Sequence, residues 1–110
     1  MTDRELLQLA AKAAGYTLAD HYDVEGRYWP WCHELVRHWC PLGDDGDTLR
    51  LAVKLRMSMY SGGAFHCIAA AWDAKGSRYE IRVEFADIGH EAAIRRAITL
   101  CAAEIGRRMG

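Results

Sequence analysis

The feature that most constrains the fold is a strict alternation of charged and apolar side chains in residues 78–85. Successive side chains of a β-strand point to opposite faces of its sheet, so this period of two predicts a strand with one polar and one apolar face. The apolar face needs a covering layer, and the polar face lies in solvent or forms a binding surface. The apolar side chains are Tyr79, Ile81, Val83 and Phe85, and the charged ones are Arg78, Glu80, Arg82 and Glu84.

Two further strands precede this one. Residues 57–60 and residues 65–74 are predicted to be extended, and Ser61-Gly62-Gly63 between them favours a tight hairpin. A second turn, Lys75-Gly76-Ser77, leads into residues 78–85. Three consecutive strands joined by short turns form an antiparallel meander.

Two helices have clear signals at the ends of the chain. Thr2 and Glu5 form a capping box for a helix that runs to about Ala14, and Gly15 is a natural C-terminal stop. The last helix is predicted for residues 90–107, which have apolar side chains at helical spacing.

A third helix is predicted for about residues 45–55, after the turn formed by residues 41–46. Acidic side chains in that turn can cap the helix and complement its dipole. We expect one face of the helix to contain Leu49, Ala52, Val53 and Arg56, widened by Leu51 and Leu55.

The segment between the first two helices is the least regular part of the chain. Residues 16–18 are expected to be extended, and residues 27–29 to form a short strand that Pro30 interrupts. Residues 32–38 are expected to form one or two helical turns.

These elements together predict an α+β fold. We expect a three- to four-stranded antiparallel meander sheet packed with about three helices, as a layered sandwich. The 110 residues are expected to form a single domain, residues 1–110.

Charge and hydropathy limit the partners. The net charge of −1 argues against a surface for duplex nucleic acid. No apolar run reaches the roughly 18 residues that span a bilayer, and the first residues lack the order of a secretory signal. We therefore expect no membrane contact, a location in the host cell cytoplasm and reduced cysteines.

Much of the apolar content is alanine, which leaves a modest aliphatic core, so a homo-oligomer is expected.

No motif in the sequence predicts catalysis or a resident metal or cofactor. Cys32, His33, His38 and Cys40 lie close in the chain, but their spacing fits no common zinc site. His33 and His38 are five residues apart, whereas a metalloprotease helix needs four. The acidic residues at 44–47 lack the order of a calcium loop. We expect no enzyme activity, no metal and no cofactor.

The remaining candidate is a binding surface made of aromatic and arginine side chains. The aromatic residues are Trp29, Trp31 and Trp39, and the basic ones beside them are Arg27, Arg37 and His38. Flat rings with guanidinium groups suit nucleobases and phosphates. The alternative is that the tryptophans fill the core. Two more candidates, Arg78 and Arg82, project from one face of the last strand, where pairing with neighbouring glutamates in solvent is the alternative.

The order of several segments resembles small phage and prophage accessory proteins of the sandwich-domain type. The resemblance rests on Thr2-Asp3-Arg4-Glu5-Leu6-Leu7 with Ala14-Gly15, on Trp39-Cys40-Pro41-Leu42 followed by Asp44-Asp45-Gly46-Asp47, and on the helices at 48–55 and 92–98. Within that group the chain is similar to anti-Thoeris sponge proteins, which sequester a cyclic ADP-ribose signal.

This resemblance implies a phage counter-defence protein. Such a protein binds a small cyclic nucleotide second messenger without turning it over, at a pocket formed by two or more chains. The expected ligand-binding residues are those of the aromatic and arginine surface. Two alternatives stay open: an inhibitor that binds a bacterial defence complex through a flat protein surface, and a phage accessory protein of another function.

Overall fold

The computed structural model describes residues 1–62, 64–86 and 88–109, and in them it has three α-helices and two three-stranded antiparallel sheets. The α+β fold predicted from the sequence is confirmed. The helices are α1 Asp3–Ala14, α2 Asp45–Lys54 and α3 His90–Arg108. The strands are β1 Leu18–Ala19, β2 Trp31–Cys32, β3 Arg37–His38, β4 Ser58–Tyr60, β5 His66–Trp72 and β6 Arg78–Glu84.

The larger sheet is the predicted meander, with strand order β4-β5-β6. Its register pairs Tyr60 with Ile68 and Ala69 with Ile81, and both pairings are antiparallel. The predicted tight hairpin between β4 and β5 includes Gly63, which lies outside the described residues. The inner face of β5 is built from Cys67, Ala69 and other small side chains, which lets α3 pack closely on the sheet.

Helix α1 begins and ends as the sequence predicts. The Thr2 side chain accepts a hydrogen bond from the backbone N–H of Glu5, and its hydroxyl donates to the Glu5 carboxylate. Gly15 ends the helix at a φ of 79°, in the left-handed region that glycine tolerates best.

Helix α3 is the middle layer of the fold. The sheet β4-β5-β6 packs on one side of it, α1 packs along another side, and α2 contacts it as well. Most of its circumference is therefore buried, mainly through small residues: Ala93, Ala97, Thr99, Cys101, Ala102, Ala103 and Gly106, with Ile98 and Ile105.

The backbones of α1 and α3 are in close contact at Gly106. A Cβ atom at this position would lie 1.9 Å from the carbonyl oxygen of Leu9, which is far inside van der Waals contact. Only glycine fits there without a shift of one helix against the other.

The buried face of α2 differs from the prediction. Leu49 and Val53, which were expected to face the protein, are exposed, whereas Asp47 and Thr48 are buried. The two polar side chains turn inward because they bond to the preceding turn: Asp47 accepts from the Cys40 N–H, and the Thr48 hydroxyl donates to a backbone carbonyl. Apolar residues occur nearly all round this helix, so spacing did not identify its buried face.

The segment between α1 and α2 also differs from the prediction. Residues 32–38, expected to be helical turns, form a hairpin in which β2 pairs with β3. Val36 has a φ of 53° in the connecting loop. The short strand expected at residues 27–29 starts later, at Trp31.

We predict that Gly106→Ala lowers the free energy of unfolding by about 1–3 kcal/mol, because the added methyl group forces α1 and α3 apart. In a helix without this contact the same change would stabilise the protein by roughly 0.5–1 kcal/mol, so the sign of the effect is informative. Urea unfolding followed by circular dichroism measures it. The control is Gly62→Ala, where an added Cβ meets only the ring of Tyr60 at 4.0 Å. A stabilising Gly106→Ala would contradict the close contact.

Candidate functional site

The small sheet β1-β2-β3 and the loops around it form a compact unit, which we call the aromatic lobe (residues 18–39). Each of its strands has two residues, and the register pairs Leu18 with Cys32 and Trp31 with His38. A further antiparallel bridge joins Tyr22 and Tyr28. Strands this short are held mainly by side chains, so the contacts of the lobe with the rest of the protein decide its geometry.

Trp29 and His38 form the central contact of the lobe. Their rings are stacked, with 3.6 Å between the ring centroids and 13° between the planes. The edge of Trp31 meets the same imidazole at 5.2 Å, and His21 lies 4.9 Å away. His38 Nδ1 is also 2.9 Å from the Trp29 carbonyl oxygen. Trp29 is thereby held in one orientation, yet it remains 44% exposed.

The loop before Trp29 is closed by Asp23. Its carboxylate accepts hydrogen bonds from the backbone N–H groups of Glu25 and Arg27, and from Arg27 Nε at 2.8 Å. The hydrogen bond from the Arg27 backbone is the largest cause of the lowered pKa of Asp23. Gly26 lies in this loop with a φ of 81°. The position of Arg27 therefore follows from a turn of defined shape.

Asp20 joins the aromatic lobe to α1. Its carboxylate accepts from Arg4 Nη2 at 2.7 Å, from the Tyr28 hydroxyl at 2.9 Å and from Gln8 Nε2 at 3.3 Å. The hydrogen bond from Arg4 is the main cause of the lowered pKa of Asp20. Burial, followed by the bond to Asp20, raises the pKa of Tyr28 to about 12, so this phenol stays a proton donor.

Trp39 anchors the other end of the lobe in the core. It is 1% exposed, and its ring meets that of Tyr16 edge to face at 5.5 Å. Its backbone N–H donates to the carbonyl of Pro30. Trp39 thus fills the core, which was the alternative to its expected ligand-binding role, and its ring is not available for stacking on a ligand.

Arg37 is engaged with a buried carboxylate. Its Nη2 lies 2.7 Å from Oδ1 of Asp47, a side chain that is 3% exposed. Oδ1 accepts no properly directed hydrogen bond within the described residues, so the contact is mainly Coulombic. A buried carboxylate is costly without a neighbouring positive charge, which makes the first role of Arg37 structural.

A cleft of about 820 Å³ lies between the aromatic lobe, the start of α1 and the turn before α2. Its volume is in the range of sites that take small organic ligands. The residues that line this cleft come from one chain, and the pocket between chains that the resemblance implies stays a prediction. Residues that define its chemistry are Asp3, Asp23, Arg27, Trp29, Leu42 and Asp44.

The structure brings together only some of the residues expected to bind a ligand. Arg27 and Trp29 line the same cleft. Arg78 and Arg82 lie on β6 of the other sheet, where they pair with Glu80 and Glu84 at 2.6 Å and 3.3 Å. They are exposed and belong to a different surface from the cleft.

The cysteines have the properties of structural thiols. All four are free, and burial raises the pKa of each, that of Cys101 to about 11. A protonated thiol is a weak nucleophile and a poor metal ligand. Within residues 1–62, 64–86 and 88–109 no group of three or more histidine, cysteine or acidic side chains is placed to hold a metal ion.

Sequence reasoning missed the stacking of His38 on Trp29 and the positions of Leu42 and Asp44 in the cleft. His38 and Trp31 are cross-strand partners, so a correct hairpin at 31–38 would have placed His38 among the tryptophans. The sequence signal for this hairpin was weak, because its loop needs a positive φ at Val36 and β-branched residues rarely adopt one.

Comparisons of this chain with protein-family models, with curated proteins and with solved structures find no match. In the described part of the chain, no helix combines the length and the apolar character needed to cross a membrane.

The lowered pKa of Asp20 predicts a loss of stability in acid. A carboxyl group with a lowered folded-state pKa stabilises the fold above its ordinary value of 3.8, and this contribution is lost as the pH falls through the lowered value. Asp20→Asn should be less stable than the parent near neutral pH, and its stability should fall less on acidification. Urea midpoints between about pH 6 and about pH 3 measure both effects. An identical pH dependence in the two proteins would contradict this role.

Proposed function

We propose that this protein is a non-enzymatic binding protein that holds a small cyclic nucleotide, of the cyclic ADP-ribose type, in the cleft beside Trp29. Sequestering such a signal without turnover is the activity of a phage counter-defence protein. The observation that carries the proposal is an exposed indole, fixed by stacking on His38, in a cleft of ligand size that also contains Arg27.

The indole of Trp29 supplies the stacking surface. His38 covers one side of the ring, so the exposed part of the indole lies away from His38. A base that stacks on such a ring gains about 1–3 kcal/mol. Because the ring is already fixed, little side-chain entropy is lost on binding.

Arg27 supplies the positive charge for a phosphate. Its contacts with Asp23 and Glu25 use Nε and Nη2, and the guanidinium has Nη1 as a further donor. Nη1 can donate a charge-assisted hydrogen bond to a phosphate oxygen while the two carboxylates hold the guanidinium in place.

The carboxylates of the cleft limit how much negative charge a ligand can have. Asp3, Asp23 and Asp44 line the cleft with Arg27. All three are partly compensated. Asp23 is bound by Arg27, Asp44 accepts the N–H of Asp47 at the start of α2, and Oδ1 of Asp3 lies 3.8 Å from Nη1 of Arg96. The cleft therefore favours a compact ligand with a single diphosphate over a cyclic oligonucleotide with more phosphates.

Isothermal titration with cyclic ADP-ribose isomers and with cyclic oligonucleotides tests the proposal. We expect binding of a cyclic ADP-ribose isomer, and recovery of an unchanged ligand by mass spectrometry. Trp29→Ala should weaken binding about tenfold to a hundredfold, which is the loss of one base stacked on a ring. The matched control is Trp72→Ala, because Trp72 is an exposed tryptophan on the larger sheet.

Three results would count against the proposal. If none of these ligands gives heat on titration, the cleft is not a nucleotide site. If Trp29→Ala and Trp72→Ala change the ligand affinity equally, Trp29 is not the stacking ring. Conversion of the ligand identifies an enzyme instead of a sponge.

A second candidate function is inhibition of a defence complex by direct protein binding. The outer face of β4-β5-β6 presents Tyr60 and Trp72, which are both more than half exposed. Exposed aromatic rings of this kind are enriched at protein interfaces. A protein captured from host lysate by the parent and by Trp29→Ala, but not by Trp72→Ala, would favour this function.

A further inference from the structure

Strand β6 is at the edge of its sheet. The hydrogen bonds at the two ends of the β5-β6 pair show which residues of β6 bond to β5. The N–H of Phe85 donates to Phe65 at 2.8 Å, and the N–H of Asp73 donates to Ser77 at 2.9 Å. In an antiparallel pair every second residue exchanges hydrogen bonds with its partner. The odd-numbered residues of β6 therefore bond to β5, and the even-numbered residues direct their N–H and C=O groups away from it.

The outer edge of β6 is thus a row of backbone donors and acceptors at residues 78, 80, 82 and 84. Within the described ranges no other strand pairs with this edge. Ile81 and Val83 point toward α3 but are only half-buried, because the sheet ends beside them. An open edge of this kind is a template for another strand.

We propose that β6 pairs with β6 of a second copy of this chain, antiparallel and about a twofold axis at Ile81. In this register Arg78 lies opposite Glu84 of the second copy, and Glu80 lies opposite Arg82. All of these are positions whose backbone groups face the edge, so hydrogen bonding allows this register. The product is a continuous sheet of six strands.

Charge selects this register over its neighbours. A shift of two residues, which keeps the hydrogen-bonding parity, brings the axis to Glu80 or to Arg82. With the axis at Glu80, Arg78 faces Arg82 of the second copy and the two copies of Glu80 face each other. With the axis at Arg82, Glu80 faces Glu84 of the second copy and the two copies of Arg82 face each other. Like charges directly across a strand pair are destabilising, whereas opposite charges are favourable.

A shift of one residue is excluded by the backbone. It would place even-numbered residues opposite odd-numbered ones, whose N–H and C=O groups already bond to β5. It would also place α3 of the two copies on opposite sides of the sheet.

The apolar side of the strand fits the same register. Ile81 meets Ile81 of the second copy, and Tyr79 lies opposite Val83. The contacts of Arg78 with Glu80 and of Arg82 with Glu84 within one strand do not have to break, because each guanidinium then lies between two carboxylates.

One strand pair buries a small area, so we expect a dimer that dissociates on dilution, with a Kd roughly in the micromolar range. This proposal does not rest on the nucleotide site, which lies within one chain. The two can fail separately: the ligand titration does not depend on the dimer, and sedimentation of the ligand-free protein does not depend on the ligand.

Analytical ultracentrifugation of the full chain over a range of concentrations tests the proposal. Arg82→Glu places a carboxylate opposite Glu80 of the other copy, and the dimer has two such pairs. Both pairs change from attractive to repulsive, so the Kd of the dimer should rise by about tenfold or more. The double variant Glu80→Arg with Arg82→Glu restores opposite charges at every pair and should dimerise like the parent. Arg50→Glu on the exposed side of α2 is the matched control for net charge and should not change the Kd.

The charge swap also predicts partner choice. Mixed with the parent, the double variant brings like charges together at positions 80 and 82, so each protein should pair with itself. Circular dichroism of every variant confirms that it is folded. A parent that is monomeric at all concentrations, a dimer that tolerates Arg82→Glu, or a double variant that remains monomeric while folded would each overturn the proposal.

Discussion

The contact between α1 and α3 sets the geometry of the whole molecule. Small side chains on both helices, with Gly106 against the Leu9 carbonyl, bring the two backbones together. Dispersion contacts and the exclusion of water along this seam add to the contribution of a modest set of large aliphatic side chains. Since α3 also supports β4-β5-β6 and contacts α2, a displacement at the seam would reach every layer.

The aromatic lobe has no extensive core of its own and depends on that framework. Trp39 is buried in the core against Tyr16, Asp20 accepts hydrogen bonds from Arg4 and Gln8 of α1, and Arg37 compensates the buried Asp47 of α2. With these attachments in place, Trp29 can remain exposed and yet be rigid. The cleft and the stacking surface of the proposed function are therefore consequences of how a small lobe is fastened to a helical framework.

The regular parts of this fold were predictable from the sequence, because they have strong local signals. Residues 78–85 alternate, Thr2 and Glu5 cap α1, and Gly15 ends it, and the structure has these features. The buried face of α2 was predicted wrongly because Asp47 and Thr48 are buried through hydrogen bonds to the turn before the helix, which no periodicity reveals. The hairpin at 31–38 was missed since its two-residue strands are held by ring contacts rather than by pattern. The same limit applies to the candidate site: tryptophans near arginines were visible in the sequence, but which ring is buried and which is exposed is decided by tertiary contacts.

Amide hydrogen exchange resolved by residue measures most directly whether the seam between α1 and α3 supports the rest. We expect the amides of α3 around Ala97, Ala102 and Ala103 to exchange slowest, with an opening free energy equal to the global free energy of unfolding. Amides of the aromatic lobe should exchange earlier, through local opening. Amides in the lobe that outlast those of α3 would contradict the dependence of the lobe on the helix pair.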